Sequence, residues 1–175
     1  NQIRSIYASK RGELWIGTTL GLARWNKKEK SQKKQFTTFS SDLGVPMNSY
    51  VTAFAEQSDG VLWIGSESGL WMVQPEHGTV SQIQHQKDAP DSLSSNEVNG
   101  LLIDHAGQLW IDTARGLDRL ISWDGKQARF QHISEQLGRP GLYFGANLLE
   151  DKLGRIWTQW FLYDPANERL SDLAK

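Results

Sequence analysis

Short stretches in which bulky apolar side chains alternate with small or polar ones recur along the chain, each closed by a turn containing glycine. The first three are "IRSIYA" from Ile3, "ELWIGT" from Glu13 and "GLARWN" from Gly21. Alternation with period two over about six residues, bounded by turn residues, predicts β-strands. In the second stretch Leu14 and Ile16 fall on one face and the Trp15 indole on the other, the pattern of a strand buried on both sides. A fourth segment, "QFTTF" from Gln35, completes the unit.

The whole unit then returns. "GELWIGTTLGL" from Gly12 is answered by "GVLWIGSESGL" from Gly60, "GQLWIDTARGL" from Gly107 and a damaged "GRIWTQWFL" from Gly154. The segments ahead of these are "VTAFAE" from Val51, "VNGLLI" from Val98 and "GANLLE" from Gly145, and a later outer segment is "ARFQHI" from Ala128. The anchor residues Trp15, Trp63, Trp110 and Trp157 lie 48, 47 and 47 residues apart, each with a glycine three positions earlier at Gly12, Gly60, Gly107 and Gly154. Six positions after the first three tryptophans stand Gly21, Gly69 and Gly116. The first two strands of a repeat are joined by turns such as "SDG" at 58–60, "DHAG" at 104–107 and "DKLG" at 151–154, where aspartate bonds its own backbone and glycine takes positive φ.

Four-stranded units at a period of 40 to 50 residues predict an all-β fold, a β-propeller of antiparallel four-stranded blades with the first strand of each lining a central channel. Blade one is read over about 1–47, blade two over 48–95, blade three over 96–142 and a degenerate blade four over 143–175, in a single propeller segment. Crowding near the axis calls for small residues on the inner strands, and Ser5, Ala53, Gly100 and Asn147 stand ten positions before the four tryptophans. The tryptophans and their glycines are accordingly structural anchors between blades rather than a chemical site.

Composition narrows function mainly by exclusion. The 175 residues carry 19 Lys plus Arg and 20 Asp plus Glu, a net charge of −1 that gives no electrostatic ground for binding nucleic acid or an anionic membrane. There is no cysteine, hence no disulfide and no thiolate metal site, and no apolar run approaches the roughly 20 residues that span a bilayer. A chain opening at Asn1, in phase with the repeat, reads as an excised or processed segment. No cofactor is implied. His85 and His132 each lie 22 residues after their tryptophan, on the outer strands of neighbouring blades, and are expected to be too far apart to share a cation. His77 and His105 fall in turns without a second ligand nearby, so no metal site is expected. Glu56 and Glu150, like Asp104 and Asp151, are equivalent repeat positions and are explained by repetition before catalysis. With no serine in a nucleophile elbow and no thiol, a non-enzymatic role is expected, and a propeller hydrolase or lyase ranks last. The run "KKEKSQKK" from Lys27 reads as a solvated hairpin turn.

The combination of the turn with "G.LWIGT..GL", and "LYDPANERL" from Leu162, resembles the two-component regulator propeller repeats. The likeness is strongest over Gly12–Thr18 and Gly60–Ser66, fair over Gly107–Thr113 and weak in the fourth repeat, which is expected to have lost about four residues from the turn after its tryptophan strand, with Trp160 and Phe161 at that corner. The resemblance implies a periplasmic input region of a membrane-bound hybrid histidine kinase or diguanylate cyclase, acting by ligand sensing, with a carbohydrate or other small ligand as its partner. It also implies larger rings of about seven blades, so that other blades complete this one. A closed four-bladed ring and completion by a second copy of the chain are the alternatives, and a structural platform for protein partners is the alternative function.

Ligands of propellers sit over the channel, on the face shared by the loops between second and third strands and those crossing between blades. The first kind are Thr18–Leu20, Ser66–Ser68 and Thr113–Arg115, and the second Ser40–Asn48, Lys87–Asn96 and Ser134–Tyr143. Departures from the repeat single out Glu67, Asp112, Arg115, Gln159 and Trp160 as ligand or partner contacts, with Tyr143 and Phe144 nearby. Asp112 stands where Gly17 and Gly65 stand, and Gln159 is aligned with the same glycines. Solvated loop or repair of worn packing is the competing account of these residues. Trp160 and Tyr143 have the flat apolar faces on which sugars stack, a role supplied by the resemblance.

Overall fold

The computed structural model describes residues 2–26, 36–38, 49–74, 77–139, 141 and 147–173. The lysine run from Lys27 to Lys34, the crossover residues 40–48, and Tyr143 and Phe144 lie outside them.

Among the described residues sixteen strands form four separate four-stranded antiparallel sheets, one for each repeat. The first holds β1 (Ile3–Ala8), β2 (Glu13–Thr18), β3 (Gly21–Asn26) and β4 (Phe36–Thr38). The second holds β5 (Val51–Glu56), β6 (Leu62–Ser66), β7 (Gly69–Gln74) and β8 (Thr79–Ile83). The third holds β9 (Val98–Ile103), β10 (Leu109–Thr113), β11 (Gly116–Trp123) and β12 (Ala128–His132), followed by a short helix α1 (Ile133–Gln136). The fourth holds β13 (Leu149–Glu150), β14 (Ile156–Trp157), β15 (Phe161–Asp164) and β16 (Arg169–Asp172). In every sheet the strands pair in chain order, the meander of a propeller blade.

The first hairpin of each blade is set by the anchor glycine. Gly12, Gly60, Gly107 and Gly154 take φ of 81°, 87°, 82° and 74°, a region that L-residues avoid. In blades three and four the turn aspartate does two jobs. Oδ1 of Asp104 accepts from the amides of Ala106 and Gln108, while Oδ2 accepts the Trp110 indole N–H at 2.8 Å. Asp151 repeats this with Leu153, Arg155 and the Trp157 indole, also at 2.8 Å. Blade two has Gln57 at that place, and the Trp63 Nε1 is buried without a hydrogen-bond partner.

The alternation along the tryptophan strand decides how blades stack. Trp15 shares a core with Val51, Leu62, Ile64 and Val73 of blade two, and Trp63 shares one with Val98, Leu101, Leu109 and Ile111 of blade three. Trp110 packs with Ile156, Phe161 and Tyr163 of blade four, its ring edge-on to Tyr163 at 5.8 Å. Each indole thus points to the following blade, and the flanking aliphatics point to the preceding one. Trp15, Trp63 and Trp110 are 1%, 2% and 1% exposed, as core anchors should be.

The ends of the array break this pattern in a telling way. Trp157 is only half-buried: the Arg155 guanidinium lies 5.7 Å from its ring, as Arg24 and Arg119 lie over Trp15 and Trp110, but among the described residues no further blade covers it. At the other end Ile3 and Ile6, the counterparts of Val51 and Phe54, are 60% and 59% exposed. Among the described residues no buried cluster joins the fourth sheet to the first. The four blades form an arc, which argues against the closed four-bladed ring.

Glutamates stitch the blades together at the hairpin end. Glu56 accepts the Lys10 amide at 2.9 Å and the Tyr7 hydroxyl at 3.2 Å, and the burial and negative charge there push the Tyr7 phenol up to about 12. Glu150 does the same one interface later, accepting the His105 amide at 2.7 Å and pairing with the His105 ring, which raises the imidazole pKa. Lys10 and His105 are equivalent positions, five before their tryptophans, as Glu56 and Glu150 are seven before theirs. Repetition therefore accounts for both glutamates, as an inter-blade clamp.

Two positions separate expectation from structure. The inner strand of blade four is expected from Gly145, which lies outside the described residues; among those described, Leu149 and Glu150 join the ladder and Asn147 and Leu148 do not. The missing four residues of that blade come from the strands, two from each, because Trp157 pairs with Leu162 where Trp110 pairs with Arg119. The turn itself is kept.

Candidate functional site

The turns between second and third strands share one construction. A hydroxyl closes each: Thr18 to the Gly21 carbonyl at 2.9 Å, Ser66 to Gly69 at 2.9 Å, Thr113 to Gly116 at 3.0 Å and Thr158 to Phe161 at 3.0 Å. The same oxygen accepts the amide two residues on, from Leu20, Ser68, Arg115 and Trp160 respectively. These four residues are therefore structural equivalents presented on one face. Gln159 is equivalent to Glu67 and Ala114 in the turn and not to Gly17 and Gly65. Thr158 does the work of Thr113 while standing one position after its tryptophan instead of three, and that offset misleads an alignment by counting.

The crossovers bond to these turns, which places both loop types on the same face. The Glu67 amide donates to the Tyr50 carbonyl at 3.2 Å, Ala114 to Glu97 at 2.9 Å and Gly141 to Arg115 at 3.2 Å. Glu67, Arg115, Gln159 and Trp160 are all exposed on it, Trp160 by 45%.

Asp112 is placed differently. It is fully buried on β10, opposite Gly100. At the equivalent Gly17 a Cβ would meet the Ser5 Oγ at 2.2 Å and the Val51 Cγ1 at 2.6 Å, and at Gly65 the Val98 Cγ1 at 2.7 Å. The fourth repeat carries Gly145 in the position of Val51 and Val98. A side chain at 112 is thus matched in the sequence by loss of the valine that excludes one at 17 and 65, the signature of a compensated interface rather than of an exposed contact.

Between blades two and three the loop face opens into a cavity of about 200 Å³. Its walls include His85, Lys87, Ser94, Arg115, His132 and Glu135. The two histidines expected on separate outer strands line this one cavity, because the 84–97 crossover folds across blade three. His132, at the end of β12, is held from both sides: Nδ1 lies 2.7 Å from the buried Asp118 carboxylate and Nε2 2.9 Å from the Pro90 carbonyl. Asp118 also accepts the Ser94 amide at 2.8 Å, and the Ser94 and Thr113 hydroxyls meet at 2.7 Å. The hydrogen bond to Asp118, above all, raises the His132 pKa to about 9, so this imidazolium donates from both nitrogens at neutral pH. His85 bonds the Leu93 carbonyl through Nδ1 at 2.7 Å. Neither histidine was singled out as a contact, and their equal offset from the tryptophan was the available signal. Among the described residues no three His, Asp or Glu side chains converge as metal ligands.

The chain matches the two-component regulator propeller family over residues 1–19, 46–68 and 92–115. No curated protein sequence matches it. Among solved structures it is similar to the extracellular domain of the hybrid two-component system BT3049 from B. thetaiotaomicron, at 21% identity and a TM-score of 0.77 over 99% of this chain and 25% of that one. The corresponding domain of BT4673 from the same organism gives 23% identity and a TM-score of 0.68 over 98% of this chain and 22% of the other. Virginiamycin B lyase from Staphylococcus aureus follows the same course at 14% identity, with a TM-score of 0.60 over 95% of this chain and 53% of the enzyme. This chain spans about a quarter of the two-component domains. Three of the four repeats are thus similar to two-component regulator propeller repeats, and all four fold as blades.

Proposed function

We propose that this chain is an arc of a larger propeller in the extracytoplasmic, periplasmic input region of a bacterial transmembrane signalling protein, and that it works by binding rather than by catalysis. The observation that carries the reading is the open arc. The surfaces left bare at its ends, Ile3 and Ile6 on one side and Trp157 on the other, are the repeat positions that pack on one another at the first two internal interfaces. Further blades of the same type, from the parent protein or a second copy, are the partners that chemistry selects. The family match, and extracellular two-component domains about four times longer with the same fold, support that context.

Recognition falls to the loop face, where Glu67, Arg115, Gln159 and Trp160 are presented by rigid turns. A ligand held there shifts the balance between two arrangements of the assembled propellers and so the output across the membrane. A carbohydrate or another small polar molecule suits a face offering an exposed indole beside charged side chains. A platform for protein partners is the competing reading. Thermal shift of the protein against a panel of oligosaccharides and small acids separates the two, because a ligand that binds only the folded state raises its apparent stability. A saturable rise that Trp160→Ala or Arg115→Ala abolishes supports sensing. A flat panel favours the platform.

A further inference from the structure

The cavity between blades two and three has a polarity that narrows its ligand. We propose that it binds a small carboxylate bearing a hydroxyl or amine group, with Arg115 and Lys87 holding the carboxylate and Glu135 accepting from the donor group. The volume of about 200 Å³ leaves room for a molecule of a few carbons. Both Arg115 and Lys87 are exposed, and neither guanidinium nor ammonium has an ion pair among the described residues. A guanidinium fork suits a planar carboxylate, which it grips by two parallel hydrogen bonds.

The surroundings are built to hold that charge pattern. The turn carrying Arg115 is fixed by the Thr113 hydroxyl and by its carbonyl bond to Gly141. Opposite it, the 84–97 crossover is pinned to blade three by His132 on the Pro90 carbonyl and by Asp118 on the Ser94 amide. The His132 imidazolium on the cavity wall is neutralised by the Asp118 carboxylate 2.7 Å away, so the free positive charge of the wall comes from Arg115 and Lys87. His85 is engaged with the crossover backbone, and Glu135 is the one carboxylate among the described lining residues. Two cationic side chains without ion pairs among the described residues, set against one carboxylate, favour an anion with a donor group over a cation.

Isothermal titration with L-malate, its neutral analogue malamide and inorganic sulfate tests this. Malate is expected to bind saturably and malamide not at all, with sulfate weaker than malate because it offers Glu135 no donor. Arg115→Ala should weaken malate about tenfold or more and Arg115→Lys less, as expected for a lost bidentate contact. Lys152→Ala, on an exposed hairpin turn, should leave affinity unchanged. Malate binding no better than malamide, or unaffected by Arg115→Ala with the fold intact by circular dichroism, overturns the site. Sulfate binding as tightly as malate overturns the role of Glu135. The inference rests on the binding-module reading, yet the two fail apart: loss of the malate response removes this site alone, whereas a flat thermal-shift panel removes sensing altogether.

Discussion

Trp63 presents a defect that the neighbouring blades have already repaired. Its indole N–H is buried and unpaired, whereas Trp110 and Trp157 donate to Asp104 and Asp151 at 2.8 Å. The hairpins are otherwise alike: Gln57 donates its amide to Val61 at 2.8 Å and Gly60 to Gln57 at 3.1 Å, as Asp104 does to Gln108 at 3.0 Å and Gly107 to Asp104 at 2.9 Å. Gln57→Asp should therefore place a carboxylate where the indole points. A buried unsatisfied donor costs about 1–3 kcal/mol, and a hydrogen bond to a charged acceptor contributes about 1.5–3 kcal/mol. Desolvating the new carboxylate, and its competition with Asp59 for the Val61 amide, offset part of that, leaving a net gain of about 1 kcal/mol. For a chain of this length that is a rise of roughly 2–4 °C in Tm. The assay is urea unfolding of wild type, Gln57→Asp and the reverse change Asp104→Ala, which should lose about 2 kcal/mol by removing indole and turn contacts together. Gain in the first with loss in the second, at constant m-value, bears out the reasoning. A neutral or destabilising Gln57→Asp beside a destabilising Asp104→Ala refutes it.

Further predictions test the blade interfaces and the crossover. Trp63→Ala should cost about 3–5 kcal/mol, while Trp157→Ala, at the open end, should cost much less, both read by denaturant unfolding. Gly65→Asp alone should destabilise by about 1–3 kcal/mol because a Cβ there meets Val98, and Val98→Gly in the same chain should recover part of it, giving a coupling free energy above about 1 kcal/mol in a double-mutant cycle. His132 has its folded pKa raised above the unfolded value, so its contribution is complete below pH 6.5 and disappears as pH climbs to about 9. The stability gap between wild type and His132→Gln should accordingly close between those limits, and the imidazole should titrate near 9 by NMR. The same sign holds for the exposed His105 beside Glu150: Tm differences between wild type and Glu150→Gln should shrink as pH rises through the raised His105 value.

What could be read in the residues, and what could not, follows from the range of the interactions involved. The strands of blades one to three are local, and the stretches from Ile3, Val51 and Val98 coincide with β1, β5 and β9. Alternation around Trp15, Trp63 and Trp110 announces burial on both faces, but which neighbour each face meets is a property of the stacked array. In the fourth blade, spacing from Trp157 points to the wrong register, because the turn is set by the hydroxyl of Thr158 that closes it. Asp112 stands out in the sequence as an exception to Gly17 and Gly65, but its burial, and the close packing of those two glycines on Val51 and Val98, belong to the folded array. His85 and His132 meet at one cavity because a crossover folds back between blades, a long-range event that no spacing encodes.

The open arc is the claim on which the rest stands, and the solution mass of the 19.8 kDa chain tests it most directly. Light scattering across a concentration series should show association, because the bare faces at Ile6 and Trp157 match the faces buried between blades, and Ile6→Lys should suppress it. A monomer at every concentration, indifferent to Ile6→Lys, would contradict the account and return the closed ring to favour.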